Sequence, residues 1–220
     1  MTVRAAVVLA RPAVPPWSPG GTDPAEWAAA LLEDTYEVCA GLDGVRTALA
    51  VAPGAPSDVV ERVTWPGTLV VEARGTGEAL DAMWDVGVDE AVVVAPDAPD
   101  LPQLLLGKLL RGLGSADVAV CPAAGGGLVG LGARLPCAPW LRGLVGPPMP
   151  SAEAEALSCP DPDAPDLLDR PEALARLRNA APTRRALSVG PGWHRVRTPA
   201  DLARLDPGLE GWEATRALTS

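Results

Sequence analysis

Two periods of apolar and polar residues run along this chain. Val3 to Leu9 is a short apolar run of the kind buried on both faces of a sheet, and Val45 to Ala52, Thr68 to Glu72 and Glu90 to Ala95 repeat it. The segments between them have helical spacing. Asp23-Pro24-Ala25-Glu26 offers an N-cap, a proline at the first helical position and an acid in the first turn. Trp27, Leu31 and Val38 then mark one apolar face, predicting a helix from Pro24 to Ala40. Further helices are expected over Ser57 to Val63, after Gly75-Thr76-Gly77-Glu78 with Leu80, Met83 and Trp84 inward, and from Pro102 to about Leu110.

Later in the chain, Asp117 to Val120 and Leu128 to Leu131 read as strands joined by the flexible Cys121-Pro122-Ala123-Ala124-Gly125-Gly126-Gly127 turn. Residues 136–150 are rich in Pro and Gly and read as a loop exposing Trp140. Residues 159–169 read as an acidic, Pro-rich surface linker. Pro171 to Asn179 predicts a helix, Trp193 to Val196 an edge strand, and Thr198-Pro199-Ala200-Asp201 the start of a last capped helix through Leu205. Strands alternating with helices predict a mostly parallel sheet covered on both faces, since parallel neighbours need crossover connections. The expectation is one three-layer α/β/α domain over residues 1–220.

Composition changes this picture little but excludes several functions. Hydrophobic residues make up 48% and charged residues 21%, as in ordinary globular chains, while 23 Gly and 25 Pro imply long loops. A net charge of -10 opposes binding to nucleic acid. Apolar runs such as Ala5 to Ala10 fall far short of the ~20 residues needed to span a bilayer. The first ten residues lack the longer apolar core and cleavage site of a signal peptide, so a cytoplasmic protein is expected. Cys39, Cys121, Cys137 and Cys159 are scattered without a CxxC pair, which argues against a zinc ribbon or redox dithiol.

The chemistry concentrates where the Val92-Val93-Val94-Ala95 strand breaks into Pro96-Asp97-Ala98-Pro99-Asp100-Leu101-Pro102. A carboxylate at the carboxyl end of a central strand sits where open α/β sheets bind ligands. The alternative is that Asp97 and Asp100 only cap a turn before the next helix. Arg170, Arg176, Arg178, Arg184, Arg185, Arg195, Arg197 and Arg204 make the last part of an acidic chain locally basic, as a solvated face or a phosphate-facing patch.

Three segments resemble the later motifs of the DUF2064 family, whose members are similar to GT-A-fold glycosyltransferases and to nucleotidyltransferases such as 2-phospho-lactate guanylyltransferase. The family's Asp-Ser-Pro-Asp-Leu-Pro reads here as Asp97-Ala98-Pro99-Asp100-Leu101-Pro102. Its Gly-Pro-Ala-x-Asp-Gly-Gly-Tyr reads as Cys121 to Leu128, and its Asp-x-Asp-Thr-Pro-x-Asp-Leu as Arg195 to Leu202. Leu32, Asp34 and Thr35 fit the family's first helix, and Gly77-Glu78-Ala79-Leu80 fits loosely a later one. The resemblance implies a GT-A-like domain binding a nucleotide or nucleotide sugar, with magnesium or manganese at Asp97.

The departures form a pattern. The family's phosphate-gripping Lys-Thr-Arg-Leu motif is absent from the loop Ala10 to Thr22, which offers Arg11. Gly125 replaces a family Asp, and Arg195 and Arg197 replace two acids. One carboxylate beside two arginines is a poor site for a dication, whereas arginines neutralise phosphate oxygens directly. The first hypothesis is therefore a glycosyl or nucleotidyl transferase with a degenerate site: Asp97, Arg195, Arg197 and His194 act at the reaction, and Arg11, Gly75, Gly77, Gly125, Gly126 and Gly127 hold the nucleotide. The second is an inactive descendant that binds a ligand, a partner protein or a second copy of itself. A dinucleotide-binding oxidoreductase is the weakest, because neither glycine cluster has GxGxxG spacing after a first strand. Ser188 and Cys121 have no partners in sequence that would make them nucleophiles.

Overall fold

The computed structural model describes residues 2–10, 17–55, 57–146, 165–206, 208 and 211–219. Within them, seven strands form one sheet: β1 (Arg4–Ala10), β2 (Arg46–Val51), β3 (Leu69–Glu72), β4 (Glu90–Val94), β5 (Val118–Pro122), β6 (Leu128–Arg134) and β7 (Leu187–Val189). Their order is β3-β2-β1-β4-β6-β5-β7, with β6 antiparallel to both neighbours and every other pairing parallel. The helices are α1 (Pro24–Ala40), α2 (Ser57–Val63), α3 (Thr76–Asp85), α4 (Gln103–Gly112), α5 (Pro139–Val145), α6 (Ala173–Ala180), α7 (Pro199–Leu202) and α8 (Glu213–Ala217).

Strand periodicity sends successive side chains to opposite faces. Ala5, Val7 and Leu9 of β1 and Ala91 and Val93 of β4 meet Leu80 and Met83 of α3, Leu141 of α5 and Leu177 of α6. Ala6, Val8, Val92 and Val94 meet Leu32 and Tyr36 of α1, Val63 of α2 and Leu106 and Leu109 of α4. The expected three-layer α/β/α arrangement and mostly parallel sheet are therefore present. The start of α1 is set as its sequence dictates: Asp23 Oδ1 accepts from Ala25 N at 2.7 Å and Pro24 fills the first turn.

Several local expectations need correction. Within 136–150, residues 139–145 form α5, because Pro139 sits at the helix start, where its missing N–H costs nothing, and Leu141 is fully buried. Trp140 is half-buried, and its Nε1 donates to Asp117 Oδ2 at 3.4 Å. Trp84, expected inward, is 46% exposed. The Trp193 to Val196 strand reduces to one bridge between Ala123 and Trp193; beyond β7 Gly190 N and Trp193 N still donate to the Val120 and Pro122 carbonyls at 2.8 and 3.0 Å, and Pro191 between them has no N–H to add. Of the 159–169 linker only 165–169 is described, and there Leu167 and Leu168 are core residues in a single 3-10 turn, not surface. Helix α8 follows the helix that the sequence marked as last.

Candidate functional site

Strand β4 delivers Asp97 to the carboxyl edge of the sheet. Residues 91–95 are wholly buried, and the turn after them is clamped to α1: Thr35 Oγ1 donates to Pro96 O and accepts from Ala98 N, both at 3.2 Å. The Asp97 carbonyl accepts from Val196 N at 2.7 Å, which brings the Trp193 to Arg197 stretch alongside. Helix α4 has Pro102 at its N-cap and no side-chain hydrogen bond there. Neither Asp97 nor Asp100 caps it; both carboxylates reach other side chains.

Asp97 is saturated by arginine. Its Oδ1 accepts from Arg195 Nε at 2.5 Å and its Oδ2 from Arg197 Nε at 2.9 Å. Asp169, on the 3-10 turn Leu167–Asp169, pairs with Arg195 Nη2 at 3.0 Å and with Arg197 Nη2. Arg195 Nη1 also donates to the Leu128 and Leu168 carbonyls at 3.1 and 3.0 Å, so this guanidinium, 4% exposed, is fully engaged by its own chain. Burial works against the Arg197 charge, but Asp97 and Asp169 outweigh it and hold the guanidinium above its ordinary pKa. Among the described residues, two carboxylates and two guanidiniums cancel, leaving a neutral lattice.

This donor set does not suit magnesium or manganese. A hard dication needs free carboxylate oxygens, and here both Asp97 oxygens already accept N–H groups from cations that would repel it. Among the described residues no group of three or more His, Cys, Asp or Glu side chains could hold a metal ion.

Of the glycines expected at a nucleotide, Gly75, Gly77, Gly126 and Gly127 lie against the chain itself, whereas a Cβ on Gly125 would meet nothing within 4 Å. Gly75 precedes α3, whose first turn is capped by Asp166: Oδ2 accepts from Thr76 N at 2.6 Å and Oδ1 from Thr76 Oγ1 at 2.7 Å. A Cβ on Gly77 would lie 2.2 Å from the Val145 carbonyl oxygen. Gly125, Gly126 and Gly127 make the β5–β6 turn with φ of 93, 104 and 80°, which side-chain-bearing residues rarely adopt. A Cβ on Gly127 would lie 2.5 Å from the Leu168 carbonyl oxygen, and one on Gly126 3.1 Å from Pro171. Gly75, Gly126 and Gly127 thus admit one returning segment, 165–171, while Gly77 admits the end of α5. Arg11 lies outside the described residues.

His194 is placed apart from the arginines. Its Nε2 lies 3.0 Å from Asp100 Oδ2, too far off axis to make a hydrogen bond, and its ring stacks on Trp193 with centroids 4.9 Å apart. Trp193 Nε1 donates to Asp100 Oδ1 at 3.1 Å. Cys121 donates its thiol to the Pro191 carbonyl at 3.2 Å, and burial pushes its pKa up to about 11, which disfavours the nucleophilic thiolate. The basic run divides: Arg195 and Arg197 turn inward, whereas Arg178, Arg184 and Arg185 are exposed.

Sequence reading missed Asp166 and Asp169, because the stretch that holds them reads as a linker. The adjacent Leu167-Leu168 pair, apolar within a polar stretch, was the signal that this segment is anchored. The partnership of Asp100 with Trp193 and His194 was likewise unmarked, because no short-range spacing connects them.

No protein-family model matches the chain, and no curated protein matches it in sequence. Solved structures do match. A protein assigned as a nucleotide-diphospho-sugar transferase from Desulfovibrio desulfuricans G20 is 20% identical, over 100% of this chain and 94% of its own, with a TM-score of 0.65. CMP:2-keto-3-deoxy-manno-octonic acid synthetase, solved with CTP, is 16% identical over 92% of this chain and 96% of its own, TM-score 0.55. Rv0371c from Mycobacterium tuberculosis H37Rv, solved with manganese, is 18% identical over 92% and 97%, TM-score 0.52. The likeness is one of fold: the chain has the GT-A-like α/β fold of nucleotide-diphospho-sugar transferases and cytidylyltransferases.

Proposed function

We propose that this chain is a GT-A-like binding module related to the DUF2064 proteins, with a neutral ion-pair lattice in place of a metal-dependent transfer centre. The observation that carries this reading is the engagement of both Asp97 oxygens by Arg195 and Arg197. Phosphoryl and nucleotidyl transfer depend on charge neutralisation at the transferring group. A centre whose own two aspartates cancel its two arginines has little of either sign to lend. The ligand would be a nucleotide or nucleotide sugar, or the partner a protein or a second copy, in the cytoplasm. Among the described residues no helix is long and apolar enough to cross a membrane.

The test is an assay of the full chain against nucleoside triphosphates and nucleotide sugars with magnesium or manganese. No product and no metal-dependent rise in melting temperature are expected; metal-dependent turnover would overturn the proposal.

A second reading, an arginine-based transferase, has one observation in its favour. Arg197 is 29% exposed, and its Nη1 has no hydrogen-bond partner among the described residues, so one edge of the fork is open to a phosphate. On that reading nucleotide binding and turnover both survive EDTA, which separates it from a metal enzyme and from a module without turnover.

A further inference from the structure

Beside the lattice, and sharing none of its four charged side chains, lies an open groove of about 520 Å³. Pro122, Ala123 and Ala124 at the end of β5 form one wall, Gly192, Trp193 and His194 the other, and Arg204 also lines it. The volume is within the range of about 300–1,000 Å³ typical of small-molecule sites. Its surface is mostly apolar, and two of the side chains that line it, His194 and Arg204, carry nitrogen hydrogen-bonding groups.

The His194 wall is built from behind. Asp100, whose side chain is 1% exposed, uses Oδ1 to hold the Trp193 indole and sets Oδ2 3.0 Å from His194 Nε2. Both Oδ2 and Nε2 are buried and without a hydrogen-bond partner among the described residues. Unpaired buried polar atoms are costly, and a slight turn of the imidazole would close this pair. With Nε2 directed at Asp100, Nδ1 is the nitrogen left to serve the groove. A protonated imidazole held this way donates from Nδ1, and Asp100 behind it balances the charge. Arg204, whose side chain is 53% exposed, pairs with Asp201 Oδ1 at 3.3 Å through Nη1, and its other N–H groups have no partner among the described residues. It can turn a fork edge toward an anion.

We propose that this groove is a binding site for a phosphate monoester with a compact apolar body, the phosphate held by His194 and Arg204 and the body by Pro122, Ala123, Ala124 and Trp193. The inference goes beyond the proposed loss of transfer at Asp97 and does not depend on it: turnover there would overturn that reading and leave this one standing.

His194 is the chain's one histidine, so its ring proton resonances report on the groove without ambiguity. Phenyl phosphate is titrated into the full-length protein with phenol as the neutral probe. A saturable shift of the His194 ring is expected with a dissociation constant of about 1 mM or tighter, and none with phenol. R204Q, at a half-exposed position that should tolerate glutamine, weakens binding about tenfold, equivalent to about 1.4 kcal/mol. R178Q, an exposed cation on α6, leaves it unchanged. Absence of a shift, an equal response to phenol, or equal affinity in R204Q would each overturn the proposal.

Discussion

At Asp97 the chain has placed a carboxylate between two guanidiniums, one of them almost wholly buried. Assembling such a lattice yields little net stability, because desolvating the charges offsets their attraction, but removing one member leaves the others unpaired in a poor solvent. D97N should therefore destabilise the protein by about 3 kcal/mol in urea unfolding. E78Q, which breaks the Arg74–Glu78 pair with side chains 71% and 45% exposed, should change it by less than about 1 kcal/mol. Equal small effects of both would show that the lattice is effectively solvated. That Asp97, Arg195 and Arg197 share one place was legible, because the motif resemblance aligned positions that a metal would otherwise have bridged. That Asp169 joins them as a second carboxylate was not, since it belongs to a stretch without periodicity.

Among the elements, the returning segment 165–171 explains why Gly75, Gly126 and Gly127 stand where they do. Helix α3 begins with no capping side chain of its own, and Asp166, distant in sequence, supplies the cap. Gly75 has φ of -168°, which any residue adopts, so its requirement is space: a Cβ there would lie 2.7 Å from Asp166 Oδ2. D166A should cost about 1–2 kcal/mol, the range for a lost helix cap. G75A should cost a similar amount by displacing the same carboxylate, and the double variant less than the sum, because both remove one contact. Additive losses would show that Gly75 serves something other than this approach. A local pattern revealed α1 to the residue, since cap, proline and apolar face agree. It misled at α5, where Pro and Gly content outweighed one buried leucine. It missed β7, whose three residues are paired only through contacts remote in sequence.

Across the whole molecule, α1 and the C-terminal part of the chain meet in a third, smaller core: Trp27 and Leu31 of α1, Val196, Leu205 and Trp212. Arg216 lies 4.3 Å over the Trp212 ring. Asp34 of α1 closes this core by accepting from Ala214 N at 3.1 Å and Thr215 N at 2.7 Å, at the start of α8. Burial raises the Asp34 pKa above the ordinary carboxylate value; hydrogen bonds from Thr215 and Ala214 oppose the shift without cancelling it, and Glu213 adds to it. A carboxyl whose pKa is higher folded than unfolded binds more protons in the native state. Its contribution to stability is therefore fully present below the unfolded value of about 4 and is lost as pH rises through the folded value. Asparagine does not titrate. The stability of the natural chain minus that of D34N, from urea midpoints across this range, should fall as pH rises from about 4 and then level off. A difference that rises with pH would mean that the backbone donors of α8 dominate Asp34, and that the charge secures the C-terminal helix instead of straining it.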